Sequence, residues 1–198
     1  IEKKYFGVLT KLFNVARFAS QFEIPADLDI HPGNLSVEDR WILSEFQSTM
    51  DTVRTAWEEL DIYTATQSLK TFGTGVLPSH YLEMVKSRLY DGDVAAAWTL
   101  HRIVRDFMSA FSPVCPFFTH HLSETLYGQS AVDIREFPSS SIPDDDSAER
   151  LRDLTNALCE FNSETWRAKK DAGLSLNAEI DGVEIPVELD EFTAELTA

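Results

Sequence analysis

Eight prolines and eight glycines interrupt these 198 residues, and they leave long stretches free to be helical. Within those stretches apolar residues recur every three or four positions, the spacing of one helix face rather than the alternation of a strand. Residues 2–22 carry Phe6, Leu9, Phe13 and Ala16, with Val8, Leu12 and Val15 widening the stripe. Ser36 followed by Asp39 resembles a capping box and predicts a helix from there to about Leu60, with Trp41, Phe46, Met50, Val53 and Trp57 near one face. Asp61 caps the next helix, which Gly73, Gly75 and Pro78 should kink or briefly break before it resumes through Arg88. Asp91-Gly92-Asp93 is a turn and cap for a helix over 94–111. Pro113 stops that helix, and Pro116 opens a short one ending near Tyr127-Gly128.

From 129 to 147 the chain turns polar, with Ser139-Ser140-Ser141 and Asp144-Asp145-Asp146 marking a linker or exposed loop. A helix over 147–172 should end at Gly173. Ala178-Glu179-Ile180 and Val183-Glu184-Ile185 around Asp181-Gly182 predict a two-residue hairpin, and 189–197 a last short helix. The expected architecture is all-α, an antiparallel helical bundle over 1–145 followed by a C-terminal helix and β-hairpin extension over 146–198.

Hydrophobic residues make up 43 % of the chain, enough for a core and too many for disorder. No apolar run is long enough to span a bilayer, no signal peptide opens the chain, and the start at Ile1 without Met reads as the middle of a longer protein. Cys115 and Cys159 stand far apart without a CxxC pattern, so buried reduced thiols and a cytosolic compartment are expected, with no metal site. The net charge is -16, and acidic proteins avoid nucleic acid unless their bases cluster. The acids are scattered through every segment, as on a halophilic surface, where about 1 M salt cuts the Debye length to roughly 3 Å and screens self-repulsion. The melting temperature should therefore rise with KCl; a flat response up to high salt would remove the halophilic reading.

Against this acidic background three helical segments set Arg or Lys beside aromatics: Lys11–Phe18, Glu38–Leu43 and His80–Tyr90. Single-stranded RNA asks for that combination, because its bases stack on rings and its phosphates need cations. In order and spacing the segments resemble the anticodon-binding domain of class I aminoacyl-tRNA synthetases for branched aliphatic amino acids, and most of all the valyl enzymes of archaeal type. The matching pieces are Lys11-Leu12-Phe13-Asn14-Val15-Ala16-Arg17-Phe18, Asp39-Arg40-Trp41-Ile42-Leu43, Tyr81-Leu82-Glu83-Met84-Val85-Lys86-Ser87-Arg88-Leu89-Tyr90, and Phe111–His121. Isoleucine enzymes carry a different, Arg-richer pattern in place of Tyr81–Arg88.

The resemblance implies roles that spacing alone leaves open. Arg17 pairs with phosphate or stacks on a base, with Asn14, Lys11 and Phe18 beside it, whereas unaided spacing gives a surface Arg beside a core Phe. Phe13 stands where the family has Trp. Arg40 faces RNA, while Asp39 and Trp41 read as cap and core, and His31–Asn34 lies where base contacts often fall. Lys86 and Arg88 serve either RNA or docking to the catalytic body; Tyr81 is a core candidate, and Glu83 with Lys86 reads equally as a surface pair. Arg167, Lys169 and Lys170 form the densest basic run, explained either by tRNA or by the dipole at a helix C-terminus. His31-Pro32-Gly33-Asn34 is not a HIGH motif, Gly73-Thr74-Gly75 is not a dinucleotide loop, and adjacent His120 and His121 are not a metal pair.

The implied function is tRNA recognition within a valine–tRNA ligase. ATP and Mg²⁺ belong to the parent enzyme. This chain lacks HIGH and KMSKS, holds no cofactor and is inactive alone. The implied partners are the tRNA anticodon stem-loop and the parent's catalytic domain, with no membrane and no DNA. Two alternatives stand beside this reading: the same domain of an isoleucyl or leucyl enzyme, and a helical protein-binding scaffold whose basic residues only form surface ion pairs.

Overall fold

The computed structural model describes residues 2–25, 35–129, 137–138, 146–175, 178 and 183–196, and these are helical almost throughout. Helix α1 spans Glu2–Ala19. It buries Leu12, Val15, Ala16 and Ala19, while Phe6 and Phe13, expected inside, stand exposed. The stripe is turned by what α1 packs on. At Gly73 an added Cβ would lie 2.6 Å from Phe107 Cζ and 2.8 Å from Leu12 Cδ2, so the missing side chain there admits Leu12 to the core.

Helix α2, Val37–Glu58, starts at the expected cap: Ser36 Oγ accepts the Asp39 amide and donates to Asp39 Oδ2 at 2.7 Å. Its Trp41, Phe46, Met50 and Val53 are buried. Asp61 caps α3, Ile62–Thr71, by accepting from the Thr64 amide at 3.0 Å. Of the kink or brief break expected at 73–78, the break does not occur. The helix widens into a π-helical segment, Phe72–Tyr81, with Pro78 inside it, and narrows again into α4, Leu82–Tyr90. Widening accommodates the proline without ending the rod, because in the i→i+5 pattern the carbonyl of residue 74, which the proline ring would crowd, takes its bond from residue 79 instead.

Asp93 caps α5, Val94–Phe111, through the Ala95 and Ala96 amides. Helix α6, Pro116–Tyr127, ends at Gly128, whose φ of 63° is left-handed. The single helix expected over 147–172 is two, α7 over Asp146–Asp153 and α8 over Thr155–Asp171, with Leu154 between them. A 3₁₀ turn, Val187–Phe192, leads into α9, Thr193–Leu196. The expected hairpin has its turn, Asp181-Gly182, outside the described residues, and 183–186 form no strand.

The C-terminal elements close over α2 and α4. The Trp41 indole N–H donates to Thr155 Oγ1 at 2.9 Å and its ring meets Phe192 edge-on at 6.3 Å. Ser44 Oγ donates to the Ala148 carbonyl at 2.9 Å. Leu158, Leu189 and Phe192 are wholly buried in the same core as the first five helices. Among the described residues no helix is long and apolar enough to cross a membrane, no group of acids, histidines and cysteines is placed to hold a metal, and both cysteines are free thiols.

Candidate nucleic-acid interface

Between α1 and the rod made by the π segment and α4 lies an open groove of about 230 Å³. Lys11, Asn14 and Phe18 line it from α1, at i, i+3 and i+7 on the flank beside the buried stripe. Ser79, Leu82, Glu83 and Lys86 line it from the rod at the matching helical spacing. Val15, Leu82 and Phe18 give it apolar walls. Phe18 is held by edge-on contacts with Phe22 at 5.0 Å and Tyr90 at 6.3 Å. The Lys11 ammonium donates to the Thr74 carbonyl at 3.2 Å. Lys86 reaches Glu83 at 3.3 Å, but both side chains are about a third exposed, so the pair is weak and the ammonium is readily shared with another anion. Apolar walls with cations at the rim and amide and hydroxyl groups within reach suit a planar base attached to a phosphate.

The groove therefore gathers four of the candidate residues: Lys11, Asn14, Phe18 and Lys86. Arg17 is exposed on α1 beside Phe18, and among the described residues nothing pairs with its guanidinium. Arg40 lies elsewhere, half-buried in the first turn of α2, and its Nε finds no acceptor among the described residues. His31–Asn34 lies outside the described residues. The end of α8 reaches the rod at His80, whose ring stacks on Trp166 at 5.4 Å and 20°. Burial lowers the His80 pKa and favours its neutral form. Arg167 and Lys170 are exposed just beyond that stack, with Lys169 half-buried between them.

Arg88 has a different setting. Its guanidinium donates to Asp39 Oδ2 at 2.9 Å, to Asp93 Oδ2 at 2.8 Å, to Ser36 Oγ at 2.8 Å and to Glu38. Tyr81, itself wholly buried, donates its hydroxyl to Asp39 Oδ1 at 2.6 Å. Burial works against the Arg88 charge, yet Asp39 and Glu38 outweigh it and raise its pKa. Burial raises the Glu38 carboxyl, its backbone and Ser36 hydrogen bonds and the Arg88 charge pull it only part of the way back, and it stands at about 7. These donors are committed to the scaffold, so the groove is assembled without Arg88.

Ser79, Leu82 and the His80–Trp166 stack were not among the sequence candidates. Pro78 marked the region only as an interruption, and no local pattern tells that such an interruption becomes a groove wall.

The family model described as the anticodon-binding domain of tRNA ligase matches residues 39–185, most of the chain. The chain belongs to that family. It is 30 % identical over 174 residues, 87 % of its length, to a valine–tRNA ligase of Saccharolobus solfataricus. It is 31 % identical over 182 residues, 90 % of its length, to one of Haloarcula marismortui, and 31 % identical over 204 aligned residues, 98 % of its length, to one of Methanopyrus kandleri. The matches cover 20 %, 19 % and 22 % of those proteins, so this anticodon-binding domain spans about a fifth of its relatives. Helix α1, with Lys11, Asn14, Arg17 and Phe18, precedes the segment that the family model matches.

Proposed function

We propose that this chain is the tRNA-reading part of a valine–tRNA ligase and that it grips the anticodon stem-loop along the α1–α4 groove. The gathering of Lys11, Asn14, Phe18 and Lys86 around one apolar-walled groove carries this reading. In it a splayed base lies against Phe18 within reach of Asn14 and Ser79. Lys11, Arg17 and Lys86 take phosphates along one side. Arg167, Lys169 and Lys170, across the rod at the end of α8, take the flanking backbone, and Arg40 is a more distant contact. The named relatives support the valine assignment over isoleucine and leucine. The parent would join valine to its tRNA with ATP and Mg²⁺ in its catalytic part, in the cytoplasm of a salt-adapted cell. The C-terminal segment 146–198 would brace this reading head.

Filter binding of a tRNA transcript with a valine anticodon, titrated with KCl, tests the proposal. Affinity should fall steeply with salt, and Arg17→Ala and Lys86→Met should each lower the slope by roughly 0.7 to 0.9, the share of one phosphate. A transcript with an isoleucine or leucine anticodon should bind more weakly. Salt-independent or absent binding would leave the protein-scaffold reading. In the full-length ligase Arg17→Ala should reduce tRNA charging and spare ATP–pyrophosphate exchange.

A further inference from the structure

The π-helical segment has a consequence for the groove that its sequence conceals. In an α-helix the Thr74 carbonyl would accept the amide of residue 78, but Pro78 has no amide and its ring crowds that same carbonyl. The i→i+5 pattern, seen at the segment's end where the Leu82 amide bonds to the Leu77 carbonyl, leaves residue 79 as the helical donor to Thr74. A carbonyl accepts two hydrogen bonds, and the other acceptor position of Thr74 is taken by Lys11, 63 residues earlier in the chain, at 3.2 Å. The Thr74 hydroxyl is turned the other way, onto the Lys70 carbonyl at 2.8 Å. Pro78 and Lys11 both line the groove. Gly73, next to Thr74, allows the close approach of α1 to the segment, since any Cβ there would strike Leu12 and Phe107.

We propose that Pro78 is a positioning residue for RNA binding: it holds the segment in the wide i→i+5 pattern, and in that pattern the second acceptor position of the Thr74 carbonyl faces α1 and holds the Lys11 ammonium at the rim of the groove. The inference rests on the RNA-binding reading and adds to it a residue that touches no phosphate. Held in place, Lys11 meets a phosphate without first losing the rotamer freedom of its long side chain. Its two remaining ammonium donors stay available to the ligand. Pro78→Ala restores the amide that bonds to the Thr74 carbonyl in the i→i+4 pattern, so the segment can narrow, re-aim that carbonyl along the helix axis and release Lys11.

The experiment compares the chain with Pro78→Ala, Lys11→Met and the double variant, by fluorescence anisotropy with a labelled anticodon stem-loop transcript at fixed KCl. Each single variant should weaken binding by about tenfold, the cost of one charge-assisted hydrogen bond. The double variant should bind no worse than Lys11→Met. The melting temperature of Pro78→Ala should not fall, since a proline has left a helix interior. Wild-type affinity in Pro78→Ala, or losses that multiply in the double variant, would overturn the inference and leave the RNA reading standing. A readout without RNA separates the two claims: the rate of reductive methylation of Lys11, followed by mass spectrometry, should rise about threefold in Pro78→Ala as its hydrogen bond is lost. If the wild-type chain binds no transcript, the RNA reading fails, and this rate alone decides whether Pro78 holds Lys11; an unchanged rate refutes it.

Discussion

Arg88→Met should lower the stability of the chain by about 3 kcal/mol, which for a domain of this size is roughly 6–12 °C in melting temperature. The substitution keeps the aliphatic stem and removes the charge that faces Glu38 and Asp39, whose side chains are wholly buried, and the partly exposed Asp93. Buried carboxylates left without a counter-charge cost far more than a surface pair contributes. The sign with pH follows from Glu38, raised from its ordinary 4.5 to about 7. A raised acid favours the fold when protonated, so its contribution is complete below about 4.5 and is lost as pH rises through 7. Arg88 limits that loss in the wild-type chain. The deficit of Arg88→Met should therefore be smaller near pH 4.5, where Glu38 is protonated and only Asp39 and Asp93 lose their partner, and widen above 7, measured by thermal unfolding across pH. At a temperature where the variant is folded, the salt slope of its RNA binding should equal that of the wild-type chain. A slope reduced by one phosphate, with stability unchanged, would instead place Arg88 on the RNA.

The elements that sequence reading located well are those closed by local chemistry. Ser36, Asp61 and Asp93 cap helices through amides two or three residues away, and Gly128 and Gly173 take the left-handed conformation at helix ends. Features settled by distant partners were less visible. Which face of α1 turns inward depends on Gly73 and Phe107, far along the chain, so Phe6 and Phe13 were misplaced. The Gly73–Pro78 cluster was legible as a disturbance, but whether a helix breaks or widens depends on what holds it on either side. Arg88 looks like a surface cation in its own segment, and only Glu38 and Asp39, about fifty residues earlier, draw it inward. For the candidate site, the i, i+3, i+7 set of Lys11, Asn14 and Phe18 could be read directly. Its opposite wall could not, because the Thr74 carbonyl and Ser79 carry no signal of their own.

A chain ended at residue 145 should fail to fold cooperatively, the largest effect expected of any change considered. Sequence composition sets 146–198 apart as an extension beyond a polar stretch, yet its side chains complete the core. Leu151, Leu158, Leu189 and Phe192 are at most 3 % exposed. Burying side chains of this kind is worth about 1.5–3 kcal/mol each, so the four together contribute up to roughly 6–12 kcal/mol, an upper bound because unfolded chains already bury some of that surface. Whole domains are stable by only about 5–15 kcal/mol. Truncation also uncovers Trp41, leaves its indole N–H without Thr155 Oγ1, and strips Ser44 and Met84 of their partners Ala148 and Asn162. Thermal unfolding followed by near-ultraviolet circular dichroism should show a sharp transition in the full chain and a broad one, or none, in the truncated chain. The truncated chain should lose affinity for the tRNA transcript as well, although the groove residues Lys11, Asn14, Phe18 and Lys86 all remain, because α4 presents Lys86 only while its other flank is packed against α8. A truncated chain that melts sharply and binds the transcript with full affinity would make 1–145 a self-sufficient domain and reduce the C-terminal helices to an accessory.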